Sequence, residues 1–493
     1  MGTEISINNT LTNKYNMHRT IKIKILISIF FLWGGPGHDV SAQSPAERPN
    51  FIVIITDDQG YGDVGYMGND AIITPNLDQM ARTGLRLDRH YSAPVCSPTR
   101  ASLLTGRYPT RMGVFYWGHS LRPQEQSIAN VLKGHGYQTG FFGKWHLGSI
   151  RDGQPTSPGA HGFETWYAAA NFYENDPWMS HNGLPVQLKG ESSDVTVELA
   201  LDYIMTAKEK EDPFLIFICL GSPHLPHEAA EYLKNLYPDQ PENMQNYLGE
   251  ITGIDLAVGK LRKQLRAWNL SDNTLVWFSS DNGGKFPEGN NHNLKDQKGT
   301  LYEGGIRIPA LIEWPGKVGP GINTVATGTV DVFPTLLELA GVDDSVVSHP
   351  LDGISLVPLI EGKVTERPDP LGFWTYPEIK GQGMKNDQIF EDYKQYLNGE
   401  LDASQLNEGL LNGPDHNYPG MEQYPYSGSY AWIENQWKLL QVDGMYKLFN
   451  VVADPGENND LSNQHPERVQ RMKQKLQTWL GDVVQSIHGK DYK

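Results

Sequence analysis

The sequence has few cysteines, a deficit of positive charge and no long apolar run after its N-terminal part. Only two of the 493 residues are cysteine, which excludes a small protein held together by disulfides. The net charge is −17, which excludes a general nucleic-acid binder, because such a protein needs a basic surface. Hydrophobic residues still make up 39% of the chain, enough for a large core and for two or three domains. An anionic substrate would therefore have to be met by a local group of cations.

The first 42 residues have the pattern of a signal peptide. The apolar run Ile25–Trp33 is followed by small residues at Val40-Ser41-Ala42, where signal peptidase would cut. Basic residues precede the run, at His18, Arg19, Lys22 and Lys24. The run is shorter than the roughly 18 residues that span a bilayer, which favours cleavage over anchoring. We therefore predict an exported protein, periplasmic or secreted, with no stable membrane anchor.

Strand and helix patterns alternate between residues 45 and 365. The predicted strands are Phe51–Thr56, Thr139–Phe142, Phe214–Leu220, Thr274–Ser279 and Ala310–Trp314. The predicted helices are Gln126–Lys133, Asp194–Lys208, Tyr247–Trp268 and Val332–Leu339. Such alternation predicts an α/β domain with a mainly parallel sheet sandwiched by helices, in which chemistry gathers at the carboxyl ends of the strands.

The pattern changes near residue 366, so we predict a small α+β subdomain over residues 366–493. A Pro-, Gly-, Asn- and Tyr-rich stretch runs from Glu366 to Gly428 and could either wall a pocket or pack on the surface. Beyond it, Ala431–Val442 and Met445–Val451 predict a hairpin turned at Asp443-Gly444. A terminal helix is predicted from about Pro466.

The two cysteines lie in different settings, and we expect both to be unpaired. Cys219 lies in the apolar run of a buried strand, where a free cysteine behaves as a small hydrophobic residue. Cys96 lies in a polar turn and begins Cys96-Ser97-Pro98-Thr99-Arg100, which continues into Leu104-Thr105-Gly106-Arg107. Further motifs follow in order: Gly136–Gly148, Ser279–Gly284, Gln297–Pro309, Asp443–Asn450 and Asp454–Glu457.

On these motifs, the chain from about Pro49 to about Pro466 resembles the type I sulfatases of the alkaline-phosphatase-like superfamily. The resemblance is to arylsulfatases and N-acetylgalactosamine-6-sulfatases. It implies that a formylglycine-generating or equivalent maturation enzyme oxidises Cys96 to Cα-formylglycine. It also implies hydrolysis of sulfate esters, most plausibly on a sulfated saccharide.

Hard oxygen donors follow two of the predicted strands. Asp57 and Asp58 follow the first strand, and Asp281 and Asn282 follow a later one. Such residues often cap helices or form turns, but together they suit Ca²⁺ or Mg²⁺ and do not suit zinc. The resemblance implies Ca²⁺ at these positions, with Cys96 beside it.

Cleavage of a sulfate ester requires neutralised charge, a nucleophile and a proton for the departing alcohol. The cations Arg100, Lys144 and Lys298 could neutralise the charge, although lysines taken singly are usually solvated. The resemblance implies that a hydroxyl of the hydrated formylglycine attacks sulfur and that His146 holds and deprotonates the hydrate. It also implies that Lys298 and His224 contact the sulfate and help to protonate the leaving oxygen.

Loop residues near the motifs are weaker candidates for contacting the rest of a saccharide: His119, Tyr173, Trp178, His181, His227, Asn290, His292 and Arg307. Two other functions stay open. One is a phosphatase or phosphonate monoester hydrolase of the same superfamily, and the other is a catalytically silent saccharide-binding protein.

Overall fold

The computed structural model describes residues 48–377, 386–402, 405–406 and 421–492. The signal peptide predicted over residues 1–42 lies outside the described residues, and so does part of the stretch between residues 366 and 428. No helix within the described ranges is long and apolar enough to cross a membrane.

A ten-stranded mixed sheet forms the centre of the fold. The strands of the described chain are β1 (Asn50–Thr56), β2 (Leu85–Leu87), β3 (His90–Tyr91), β4 (Gln138–Lys144), β5 (Thr165–Ala169), β6 (Trp178–His181), β7 (Leu184–Gln187), β8 (Phe214–Cys219), β9 (Thr274–Ser280), β10 (Arg307–Ile308), β11 (Ala310–Glu313), β12 (Gly321–Asn323), β13 (Thr327–Gly328), β14 (Leu371–Thr375), β15 (Ser429–Glu434), β16 (Trp437–Val442) and β17 (Met445–Asn450). The large sheet has the order β12-β2-β11-β9-β1-β8-β4-β5-β6-β7, and a small sheet has the order β10-β3-β13. The five predicted strands occur as β1, β4, β8, β9 and β11, with slightly shifted ends.

The middle of the large sheet is parallel, and antiparallel strands flank it. Strands β9, β1, β8, β4 and β5 run parallel to one another, while β11 pairs antiparallel with β9, β6 with β5 and β7 with β6. Every residue of β1, β8 and β9 is buried, as expected for strands covered on both faces. The predicted α/β class with a mainly parallel centre is therefore confirmed.

Helices cover both faces of this sheet. The helices of the described chain are α1 (Pro75–Thr83), α2 (Cys96–Thr105), α3 (Ile128–Gly134), α4 (Ser192–Lys210), α5 (Glu231–Lys234), α6 (Glu242–Ala267), α7 (Glu303–Ile306), α8 (Val332–Leu339), α9 (Val357–Ile360), α10 (Asn386–Leu397) and α11 (Pro466–Ile487). Alternate residues of β1 face opposite ways, so Val53 and Ile55 pack with α2, α3 and α8 in one core. Ile52 and Ile54 pack with α1, α4 and α6 in the other. Packing in these two cores holds the strands in place and so fixes the positions of the strand ends.

A separate four-stranded antiparallel sheet, of order β14-β15-β16-β17, follows in the C-terminal part. The prediction of one hairpin here was wrong, because Ala431–Val442 is not a single strand. Its apolar run is interrupted by a polar turn at Asn435, whose φ of 50° lies in the left-handed region that asparagine tolerates. The turn at Asp443-Gly444 and the terminal helix from Pro466 are confirmed.

A buried ion triad joins this second sheet to the segment that precedes β10. Lys438 on β16 lies 3.0 Å from carboxylate oxygens of both Glu303 and Glu457, and all three side chains are fully buried. The Tyr91 hydroxyl donates a further hydrogen bond of 3.0 Å to Glu303. Glu457 also accepts a 2.7 Å hydrogen bond from the Glu303 amide, so the triad fixes the start of α7.

Replacing Lys438 by methionine is expected to lower the free energy of unfolding by about 3–5 kcal/mol. The substitution removes the cation that pairs with Glu457 and leaves Glu303 with only the longer contact to Arg307, at 3.7 Å. Urea unfolding followed by tryptophan fluorescence measures the loss. The matched control is Lys475→Met, which removes an ion pair to Glu434 from a lysine that is 51% exposed. That control should cost only about 0–1 kcal/mol. Equal costs for the two variants would show that the triad does not stabilise the fold in this way.

Candidate active site

The sequence-predicted site residues meet at the carboxyl ends of the central strands. Asp57 and Asp58 directly follow β1, and Asp281 and Asn282 directly follow β9. Lys144 is the last residue of β4. His224 comes five residues after the end of β8, and Cys96 is the first residue of α2. Parallel strands bring these ends to the same edge of the sheet, which is why residues so distant in sequence come together.

Each of the three carboxylates has its own cation, two of them buried and the third partly exposed. Lys144 Nζ lies 2.7 Å from Asp57 Oδ2. Arg100 Nη2 lies 2.8 Å from Asp281 Oδ2, and its Nη1 donates a 2.8 Å hydrogen bond to a backbone carbonyl on β4. The third pair follows the same pattern, with Lys298 Nζ at 2.5 and 2.7 Å from the two oxygens of Asp58. The site thus contains balanced formal charges at close range.

The acidic residues crowd one another in a way that favours a bound cation. The Asp58 amide donates a 3.1 Å hydrogen bond to Asp281 Oδ1, and Asp58 adopts a left-handed backbone with φ of 66°. Such a conformation in a non-glycine residue costs on the order of 1 kcal/mol or more and is common at functional sites. Burial and the neighbouring Asp57 raise the pKa of Asp281 to about 6. A divalent cation between these oxygens would relieve their mutual repulsion.

The donor set fits a hard cation. Asn282 Nδ2 donates a 2.8 Å hydrogen bond to Asp58 Oδ1, whereas Asn282 Oδ1 is buried without a hydrogen-bond partner in the described structure. Buried polar atoms are normally satisfied, so this unpartnered oxygen points to a ligand. Carboxylate and amide oxygens suit Ca²⁺ or Mg²⁺. A ring nitrogen of His224, the Sγ of Cys96 and one carboxylate oxygen each of Asp57 and Asp58 all lie within 4.8 Å of one another.

Cys96 lies among these charges at the start of α2. Its Sγ is 3.5 Å from Asp57 Oδ1, 3.9 Å from Asp58 Oδ1 and 3.5 Å from Lys298 Nζ. Burial, with Asp281 nearby, raises the pKa of the Cys96 thiol well above its usual value. The unmodified side chain is therefore a poor nucleophile at neutral pH. Cys96 and Cys219 are both free, as predicted, and both are buried.

Both predicted histidines, His146 and His224, lie at this site, but their surroundings differ. His146 has a left-handed backbone with φ of 54°, and both ring nitrogens are buried with no hydrogen-bond partner in the described chain. Burial, together with Lys144 and Arg100, lowers the pKa of His146 well below its usual value. His224 stacks on Phe172 with ring centroids 4.5 Å apart. Burial lowers the pKa of His224 to about 3, so both rings are neutral near pH 7.

Ser97 is a positioning residue that the sequence interpretation missed. Its hydroxyl donates a 2.7 Å hydrogen bond to the His146 carbonyl and accepts one of 2.9 Å from the Gly118 amide. It therefore links α2 to the turn that carries His146 and to the loop that follows Trp117. Its place directly after Cys96 is the signal that could have indicated such a role.

A cleft of about 520 Å³ opens above Cys96. Besides Cys96, His146, His224 and Lys298, it is lined by residues that the sequence interpretation did not select: Val95, Tyr116, Trp117, Asn171, Phe172, Lys285, Gln297 and Gly299. Aromatic side chains beside polar ones are typical of saccharide sites. The signals that could have found them are the aromatic pair Tyr116-Trp117 and the lysine directly after the Asp-Asn-Gly-Gly turn.

The eight weaker saccharide candidates are not among the residues that line this cleft. Most of them have well-defined contacts elsewhere. The Tyr173 hydroxyl bonds to Thr196, and Arg307 bonds to Asp88 and Tyr61. The remaining contacts place Trp178 under Lys394, His181 on Tyr167, His227 beside Glu250, Asn290 against His292, and His119 against the Phe115 amide.

Helix α10 forms hydrogen bonds to a loop that contributes to one wall of the cleft. The Asn386 side chain accepts a 3.0 Å hydrogen bond from the Ala170 amide and donates one of 3.0 Å to the Trp178 carbonyl. Ala170 directly precedes Asn171 and Phe172, which line the cleft. The described part of the irregular stretch thus supports the wall without lining the cleft.

The chain is similar in sequence and in structure to known proteins of one family. The family model described as Sulfatase matches residues 49–342. The chain is 33% identical over 471 residues to N-acetylgalactosamine-6-sulfatase of Homo sapiens, covering 86% of this chain and 83% of the relative. It is 32% identical over 356 residues to Ulvan-active sulfatase of Formosa agariphila, covering 67% and 68% of the two chains. A crystal structure of Ps i-CgsB in complex with k-i-k-neocarrahexaose has a TM-score of 0.74 at 27% identity, covering 88% of this chain and 93% of that chain.

Proposed function

Because the chain belongs to the sulfatase family and is a sulfuric ester hydrolase, we propose that it removes sulfate from a sulfated saccharide, using an oxidised Cys96 and a calcium ion. The observation that carries the proposal is the meeting of Cys96 with three carboxylates and three cations beneath one cleft. The names of an N-acetylgalactosamine-6-sulfatase and an ulvan-active sulfatase among the relatives support a saccharide substrate.

Calcium would be held by side-chain oxygens of Asp57, Asp58, Asp281 and Asn282, with residue 96 beside it. The unpartnered Oδ1 of Asn282 and the raised pKa of Asp281 support this assignment. When bound, such an ion stabilises negative charge on the ester and lowers the pKa of a hydroxyl in contact with it. The all-oxygen donor set favours calcium over zinc.

Cys96 would be oxidised to Cα-formylglycine by a formylglycine-generating or equivalent maturation enzyme. The aldehyde, once hydrated, supplies a hydroxyl nucleophile that the thiol cannot match, because burial raises the pKa of the thiol. Cys96 is only 1% exposed in the folded chain, so the maturation enzyme would act before folding is complete.

The cations of the site divide into two groups by their contacts. Lys144 pairs with Asp57, and Arg100 pairs with Asp281. Both cations are buried, and Lys144 is fully so. Lys298 lines the cleft and is 14% exposed, so its ammonium group can reach an ester oxygen while it stays close to Asp58. Lys298 would therefore neutralise the incoming sulfate group.

The histidines would move protons. His146 is neutral, lines the cleft and has unpartnered ring nitrogens, so it can accept a proton from a hydroxyl on residue 96. His224 places Nδ1 2.5 Å from the Leu225 carbonyl, which leaves Nε2 to face the cleft and Asp58. An anionic ester in the cleft would raise the pKa of His224, so that it can take up a proton and pass it to the leaving oxygen.

Sulfate release from defined saccharides tests this function directly. The mature protein is expected to cleave sulfated oligosaccharides with a kcat/KM at least about 10²-fold above that for phosphate or phosphonate monoesters of the same alcohols. Ion chromatography of released sulfate and phosphate measures both. Preferential phosphate release would instead support the phosphatase hypothesis. Saccharide binding without release of either anion would support a catalytically silent binding protein.

The proposal extends to the organisation of the chain. Residues 1–42 would form a cleaved signal peptide, and the mature protein would act in the periplasm or outside the cell, without a stable membrane anchor. Residues 45–365 would form the catalytic domain, and residues 366–493 the C-terminal subdomain. The basic and apolar pattern before Val40-Ser41-Ala42 supports the first statement, and the separate antiparallel sheet supports the second.

A further inference from the structure

Two lysines, Lys285 and Lys298, line the cleft. They lie on two segments that are joined by hydrogen bonds. The Lys298 amide donates a 3.2 Å hydrogen bond to the carbonyl of Gly284, the residue directly before Lys285. The amide of Phe286, directly after Lys285, donates a 2.6 Å hydrogen bond to the Gln297 side chain. The backbone at Lys285 is thus held from both sides by the segment that carries Lys298, so both lysines open into the same cleft.

The two lysines differ in their counter-charges. The ammonium of Lys298 is compensated by Asp58 at 2.5 Å. Lys285 is exposed, and within the described ranges of the chain no carboxylate lies within ion-pair distance of it. Among the described residues it therefore has no ion-pair partner, in a protein whose net charge is −17. A cation in a concave site with partly apolar walls attracts anions more strongly than one on an open surface.

We propose that Lys285 binds a second anionic group of the saccharide, a sulfate or a carboxylate carried beside the sulfate ester that is cleaved. This inference rests on the proposed function and names its substrate class as saccharides with at least two negative charges. The aromatic residues Tyr116 and Trp117 line the same cleft and offer faces against which a sugar ring can pack. Lys285 thereby acts as a specificity-determining residue, whereas Lys298 binds the ester that reacts.

Paired substrates test the inference. The wild type, Lys285→Gln and Lys285→Arg are assayed on a monosulfated disaccharide, on the same disaccharide with a second sulfate, and on one with a neighbouring uronate. We expect Lys285→Gln to reduce the ratio of kcat/KM for a dianionic substrate to that for the monosulfated one by about tenfold. Lys285→Arg should keep most of the ratio. The advantage of the dianionic substrates should shrink as salt is raised from 50 to 500 mM, because salt screens exposed charges.

The matched control is Lys317→Gln. Lys317 is exposed and follows β11, which runs antiparallel to β9, so it lies at the opposite edge of the sheet from the cleft. This control should keep the wild-type ratio. If the second sulfate and the uronate differ, the better substrate identifies which anion Lys285 accepts. A ratio unchanged in Lys285→Gln would overturn the inference while sulfate release still stands. Absence of sulfate release from every substrate, a small aryl sulfate included, would instead overturn the proposed function.

Discussion

Replacing Cys96 by alanine is expected to lower sulfate-ester turnover by at least about 10⁴-fold. The substitution removes the only atom at this position that can be converted into a nucleophile, and losses of this size or larger follow removal of a nucleophile in other hydrolases. The surrounding ion pairs do not depend on the Cys96 sulfur, since each carboxylate has its own cation. The variant should therefore fold with a thermal midpoint within a few degrees of the wild type.

The second cysteine provides the control for this variant. Cys219 is equally free and buried, but it ends β8 below the site and is not among the residues that line the cleft. Cys219→Ala should keep turnover within about threefold of the wild type, although the small cavity it leaves lowers stability by about 1–2 kcal/mol. Mass spectrometry of the peptide that contains residue 96 completes the test. Full activity with an unmodified thiol at that position would refute the proposed nucleophile.

Removing the proposed calcium ion with a chelator is expected to reduce turnover by about 10³-fold. Three carboxylates and an unpartnered amide oxygen would then face one another without the ion, and charge stabilisation worth several kcal/mol would be lost from the transition state. Added Ca²⁺ should restore turnover, and Zn²⁺ should not, because the donors are all oxygen.

Thermal unfolding gives a readout of the same ion that does not depend on catalysis. Calcium that binds only the folded state raises the unfolding free energy by about 2.7 kcal/mol at 100 times its dissociation constant. We expect this stabilisation in the wild type and its loss in Asp281→Asn. The control Asp343→Asn changes an exposed carboxylate remote from the site and should keep the effect of calcium. A midpoint in the wild type that does not respond to calcium or to chelator would contradict the assignment.

Part of the candidate site could be predicted because four of its residues directly follow strands whose pattern is local. Asp57 ends an apolar run, and Asp281 ends another, so the parallel sheet that those runs predict already brings the two together. The resemblance to a known family added roles for Lys298 and His224 that their immediate neighbours in sequence do not indicate. In these cases the local pattern and the tertiary structure agree.

The walls of the cleft could not be predicted in the same way. Trp117, Phe172 and Lys285 lie in three separate loops, and their proximity depends on how those loops pack after the sheet has formed. Loop residues have no periodic pattern that shows which way their side chains point. Nearness in sequence to a motif therefore did not identify the residues that line the cleft. Tyr173, one residue away from Phe172, instead points into the protein and bonds to Thr196.

The C-terminal sheet also has features that could not be predicted from the sequence. Strands β15, β16 and β17 lie in the predicted apolar runs, but the break at Asn435 depends on a single left-handed residue, and β14 lies in the stretch predicted as irregular. The ion triad joins Glu303 to Lys438 and Glu457, both more than 130 positions away, and no local pattern marks a lysine that will be fully buried. Such pairs are visible only when the tertiary structure is known.

The hydrogen bonds from Asn386 to both ends of the Ala170–Trp178 loop have a consequence for protein engineering. Within the described ranges this helix contributes no residue to the lining of the cleft, so it acts on the cleft through the loop that these hydrogen bonds hold. Grafting the corresponding helix from a relative would shift the loop and reshape the entrance for the sugar chain. Because Phe172 in that loop stacks on His224, such a graft would change sugar binding and proton transfer together.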